Sequence, residues 1–253
     1  MKKQNGTLQI ATSTKPLPSL QPMVDWYLKH NLLSGNKCVS HQDAFVCNIK
    51  NFREKVLSGT LSDQEIVDLF FKNEHFWAVK SFWKSKVYVP VREEFERLRP
   101  WTQIPGNYQN FEDIYSWIES KIQPLGATQL VIYDLSLWLS ALDSSGNLLP
   151  RDYVYVHATP MTAYKRLYTK GYVKHKPKHP NDIIPKTAFP SPFNLLTAYE
   201  IEDLLCNIGK CLKRLTQAND KLINPCVSIG NNPSTLGVNP YDDLMIITKM
   251  LLY

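Results

Sequence analysis

The stretch from Leu196 to Leu215 constrains this chain most, because it is compatible only with a long amphipathic helix that lays one side in a core. Thr197-Ala198-Tyr199-Glu200 is a capping box: the threonine hydroxyl takes an amide of the first turn and the glutamate reaches back. Leu196 and Ile201 flank it as a hydrophobic staple. Ile201, Leu204, Leu205, Ile208, Leu212 and Leu215 then recur at helical spacing on one face. A second capping box, Ser62-Asp63-Gln64-Glu65 with Leu61 and Ile66 as its staple, predicts a helix carrying Ile66, Leu69, Phe70, Phe76, Trp77 and Phe82, interrupted around 72–74.

Weaker signals fill in the rest. A helix starting near Pro22 carries Val24, Trp26, Tyr27, Leu28 and Leu32 as far as Ser34-Gly35, and residues 42–58 fit a shorter one. Lys86-Val87-Tyr88-Val89-Pro90-Val91 has the look of a short strand ended by its proline. A helix from Asn110 through Phe111, Ile114, Tyr115, Trp117, Ile118 and Ile122 stops at Pro124-Leu125-Gly126. Residues 128–142 are apolar almost all round, which means a central buried element; their length favours a helix. Tyr153-Val154-Tyr155-Val156-His157 is strand-like, and residues 160–171 fit a helix with Pro160 at its start and Gly171 at its end. Residues 174–193, with Pro177, Pro180, Pro185, Pro190 and Pro192, predict an irregular surface loop. The sum is a mainly α fold with one small two- or three-stranded element, drawn from residues 86–91 and 153–157. It forms a single globular domain over 22–223, with 124–127 as the place where it would subdivide. A flexible arm (1–21) precedes it, and a loop with a docking C-terminal segment (224–253) follows.

The 253 residues include 43% hydrophobic side chains, enough to fill such a core. The N-terminus is basic, but no apolar run follows it, and no run anywhere is long enough to span a membrane. Cys38, Cys47, Cys206, Cys211 and Cys226 are odd in number and lack CxxC spacing, which points to reduced thiols and the cytoplasm. The net charge of +6 admits an anionic partner without requiring one.

The charge is concentrated between Lys165 and Lys186. Lys165, Arg166, Lys170, Lys174, Lys176, Lys178 and Lys186 lie there with His175 and His179, against one acid, Asp182. Tyr164, Tyr168 and Tyr172 are interleaved. Lysines on a proline-rich loop suit phosphate contacts and tyrosines suit base stacking, so the leading expectation is binding of nucleic acid, DNA or RNA. The same segment would also serve as a solubilising loop, or would dock an acidic protein in a module without catalysis.

Three resemblances bear on the preceding residues. The turn from Leu149 to Pro160, followed by a helix start at Ala163-x-x-x-Leu167, is similar to a helix-hairpin-helix phosphate grip, though Ala158 and Thr162 stand where glycines are usual. His157-x-Thr159 on a strand, followed by Tyr164 and Gly171, resembles the first nicotinamide-site motif of ADP-ribosyltransferase-like folds. That likeness implies a nucleotide-using enzyme in which His157 and Thr159 position a ribose and Glu200 or Glu202 stabilises the transition state. Tyr133-Asp134, Leu149-Pro150 with Tyr153 to Ala158, and Tyr199 to Cys206 resemble an uncharacterised family of prokaryotic proteins, which implies one structural unit from Tyr133 to Cys206 and no particular activity.

No GxGxxG, GxxxxGK[ST], GxSxG or HExxH motif is present, so no cofactor is read from the sequence. His175 and His179 have helical metal-ligand spacing, but Pro177 and Pro180 exclude a regular helix there. Asp134 with Glu200, Glu202 and Asp203 offers a carboxylate set for a divalent metal. The plainer expectation is that Glu200 caps its helix, the other three face solvent, and no metal is bound.

Overall fold

The computed structural model describes residues 17–30, 85–98, 105–143, 147–178, 180–218 and 240–252, together with Ser145 and a few positions between 54 and 71. Helices α1 (Gln21–His30), α2 (Tyr88–Arg97), α3 (Phe111–Ile122) and α4 (Gln129–Ala141) lead to strand β1 (Tyr153–Val156). Helix α5 (Ala158–Thr169), strand β2 (Asp182–Pro185), and helices α6 (Ala198–Ala218) and α7 (Pro240–Lys249) follow. The fold is mainly helical, with β1 and β2 forming a two-stranded antiparallel ribbon. Among the described residues, no helix is long and apolar enough to cross a membrane.

Both capping boxes form. Glu200 N–H donates to Thr197 Oγ1 at 3.4 Å, while Thr197 N–H donates to Glu200 Oε2 at 2.8 Å. Ser62 N–H reaches Glu65 Oε2 at 2.8 Å, and Glu65 N–H reaches Ser62 Oγ at 3.3 Å. Ile66 is buried, whereas Leu61 and most of the helix expected after it fall outside the described residues. Asn110 caps α3 by accepting the Asp113 amide at 2.9 Å. Thr128 caps α4, and every residue from Val131 to Ala141 of that helix is buried. The nearly continuous apolar segment is therefore the central helix.

The stretch 86–91 is not a strand. Its residues open α2, with Pro90 in the first turn. Amides of a first turn have no partner within the helix, so the missing proline N–H costs nothing there. The strand that pairs with β1 comes instead from the expected loop 174–193. Tyr153 lies opposite Pro185, Val154 opposite Ile184, Tyr155 opposite Ile183 and Val156 opposite Asp182. Ile183-Ile184 supplies β-forming residues between prolines, and Pro185 sits at a strand end where no ladder bond is required. The end of the expected N-terminal arm is also docked, since Leu20 lies in the core. At the C-terminus the docking element is a helix, α7, with Leu244 and Leu251 buried.

Helix α6 packs against α1, α5, β1 and α7. Its crossing with α5 is very close. A Cβ placed on Gly209 would lie 2.2 Å from the carbonyl oxygen of Thr159, in the first turn of α5. On the other side of β1, Tyr155 meets Tyr115 at 4.8 Å, Phe111 at 5.1 Å and Tyr133 at 5.3 Å between ring centroids, which joins α3 and α4 to the ribbon.

Candidate nucleic-acid interface

The basic window begins on α5 and ends just beyond β2. Lys165 and Arg166 on the last turns of α5 and Lys170 at its C-cap are half-exposed, and Lys186 beyond β2 is too. Lys174, Lys176 and Lys178 are exposed on the connection between α5 and β2. His179 lies outside the described residues.

That connection is fixed at both ends. Gly171, at φ +83°, takes the left-handed conformation after α5. Its N–H bonds to Tyr168 O at 2.9 Å, and Tyr172 N–H bonds to Leu167 O at 2.9 Å, the paired bonds of a Schellman motif. At the far end Asp182, which is buried, accepts the Lys178 amide at 2.9 Å through Oδ2 and the Ile183 amide at 2.9 Å through Oδ1. His175 Nε2 lies 3.4 Å from the same Oδ2. The single acid of the window thus organises the backbone that carries the lysines.

The tyrosines serve the fold more than the surface. Tyr164 is fully buried, and its hydroxyl donates to His175 O at 2.9 Å. Tyr172 donates to Pro18 O at 2.9 Å, and Tyr168 and Tyr172 are half-buried against the core. Their spacing of four residues puts all three on one side of α5 and its end, the inward side.

The four candidate catalytic residues have different surroundings. His157, at 2% exposure, faces inward, with its ring 5.7 Å from that of Tyr133 and 6.1 Å from that of Tyr155. Neither imidazole nitrogen has a hydrogen-bond partner among the described residues. Burial pushes its pKa down to about 4, with Asn181 opposing the shift. Thr159 lies outside the core on α5, where Lys213 Nζ donates to its Oγ1 at 3.1 Å. Glu200 holds the capping box.

The acids expected in solvent are buried instead. Asp134, Glu202 and Asp203 are each at 5% exposure or less, and four elements pack against the helix that carries two of them. Burial first, then Asp203 and Asp134, raises the Glu202 pKa well above the carboxylate range, with Lys210 opposing. Tyr27 donates to Asp203 Oδ2 at 3.0 Å. Among the described residues, no group of three or more His, Cys, Asp or Glu is arranged to hold a metal ion. Tyr27→Phe is expected to cost about 1–2 kcal/mol by removing a donor from a buried carboxylate, read from the urea midpoint at constant slope.

Sequence reasoning missed Tyr153, which stands at 40% exposure beside the window across the ribbon. The alternation in Tyr153-Val154-Tyr155-Val156 put both tyrosines on one face, but could not say that α3 covers Tyr155 and leaves Tyr153 in water. No family model, curated protein or solved structure matches this chain.

Proposed function

We propose that the protein binds nucleic acid through the connection between α5 and β2. The observation that carries this is the exposure of Lys174, Lys176 and Lys178 on a backbone pinned by the Schellman turn and by Asp182. Lysines on a held backbone lose less freedom on meeting phosphates than lysines on a loose tail would. Arg166 and Lys170, at the end of α5, add two more cations.

The test is a salt series with labelled oligonucleotides, comparing the wild type with a Lys174→Glu, Lys176→Glu, Lys178→Glu variant. All three side chains are exposed, so the variant is expected to fold. Its affinity should fall at least about tenfold, and the slope of log affinity on log salt should shrink by about 2–3. Unchanged affinity and slope would overturn the assignment.

A further inference from the structure

An aromatic side chain left in water at the edge of a basic surface stands out, because the other described aromatic rings whose burial is known are buried or half-buried. Among the described residues Tyr153 is the one exposed aromatic, at 40%. In the antiparallel register Tyr153 faces Pro185 and Tyr155 faces Ile183, so Tyr153 and Ile183 are diagonal neighbours on one face of the ribbon. Ile183 is 44% exposed. These two residues form an apolar strip. One end meets Asp182, the pin of the lysine connection. The other end meets Lys186, whose N–H donates to Asp152 O at 2.7 Å, and the exposed Arg151. The ribbon is only about 10 Å long, at roughly 3.3 Å per residue, so the strip and the cations at both of its ends lie within reach of a few nucleotides.

We propose that the nucleic acid bound here is single-stranded, with a base stacked on Tyr153 and its phosphates on the lysines at either end of the ribbon. This rests on the nucleic-acid reading above and adds the class of ligand to it. A duplex offers a protein its phosphates and groove edges, while its base faces are already stacked on one another. An unpaired base has a free face for an exposed ring, and every base has one, so such contact is tolerant of sequence. The cations alone would suit any polyanion. The aromatic and aliphatic strip between them is what favours unpaired bases over an acidic protein.

The experiment measures the affinity of a labelled oligouridylate, an oligothymidylate and a DNA hairpin duplex of matching length, by fluorescence anisotropy. The proteins compared are the wild type, Tyr153→Ala, Tyr153→Trp and the triple lysine-to-glutamate variant, each checked for fold by its thermal melt. Tyr153→Ala should weaken single-strand binding about tenfold without changing the salt slope, and leave duplex binding as it was. Tyr153→Trp should restore single-strand binding or strengthen it. Equal single-strand affinity in wild type and Tyr153→Ala, with the triple variant still defective, would overturn the stacking and leave the ionic reading standing. Wild-type binding to no oligonucleotide at low salt would overturn both. Displacement of the oligonucleotide by polyglutamate as readily as by unlabelled oligonucleotide would assign the surface to acidic protein instead.

Discussion

Gly209→Ala is expected to lower the unfolding free energy by about 3 kcal/mol, the upper part of the range for overpacked contacts. On helix propensity alone the sign would be the reverse, because alanine inside a helix is favoured over glycine by about 1 kcal/mol. The difference comes from the α5–α6 crossing. The added methyl would sit 2.2 Å from Thr159 O and 3.0 Å from both Thr159 C and Thr159 Cγ2. The nearest obstacle is backbone, so no side-chain rotation relieves it. The helices would have to part by on the order of 1 Å to recover ordinary van der Waals separation. That movement would disturb the turn at His157 and Ala158, where Ala158 already holds the left-handed region at φ +37°. Thermal unfolding should show a fall in Tm of roughly 6–12 °C for a chain of this size. Gly106→Ala is the control: nothing lies within 4 Å of its added Cβ, and the change should stay within about 0.5 kcal/mol. A Gly209→Ala protein more stable than the wild type would mean that α6 does not cross α5 at this distance.

What the sequence made legible here is what depends on neighbours a few positions away. Both capping boxes, the helix start at Asn110 and the glycine at the end of α5 are of that kind, and all of them form. The strand expected at 86–91 failed on a local rule applied too broadly, since a proline that ends a strand also fits the first turn of a helix. Strand β2 was hidden for the opposite reason. Five prolines across 174–193 argued for loop, and only β1, far back in the chain, supplies the partner that makes Ile183-Ile184 a strand. Gly209 is similar, for its requirement lies entirely in Thr159 on another helix. The positive charge of the window was evident from composition, but the part its tyrosines play depended on which side of α5 meets the core. Glu202 and Asp203 looked solvent-facing because an amphipathic pattern assumes a helix with one free side. The amino-terminal half of α6 has none, with Ile201 to Leu205 all buried.

That burial should be visible in how stability depends on pH, with two groups pulling in opposite directions. His157 is held neutral, its pKa lowered from 6.5 to about 4, mainly by burial. Between those values the folded protein binds fewer protons than the unfolded chain. Its contribution is therefore complete above the unfolded value and is lost as pH falls toward the folded one. The loss amounts to about 3 kcal/mol over that window. Glu202 is shifted the other way, raised well above 4.5 by burial and by the charges of Asp203 and Asp134, against Lys210. Here the folded protein binds more protons, so stability is complete below the unfolded value and is lost as pH rises toward the raised one. Tyr133 is coupled to both groups: its ring meets that of His157, and burial, then the charges of Glu202 and Asp134, push its hydroxyl pKa well up. Urea unfolding from about pH 4.5 to about pH 8 on wild type, His157→Gln and Glu202→Gln separates the contributions. The histidine variant should lose much of the acid-side fall in stability. The glutamine at 202 should match the wild type in acid and gain on it steadily as pH rises, because an amide carries no charge to bury. Parallel curves for the three proteins would mean that neither group is held uncharged in the core, and that the amino-terminal half of α6 is open to water.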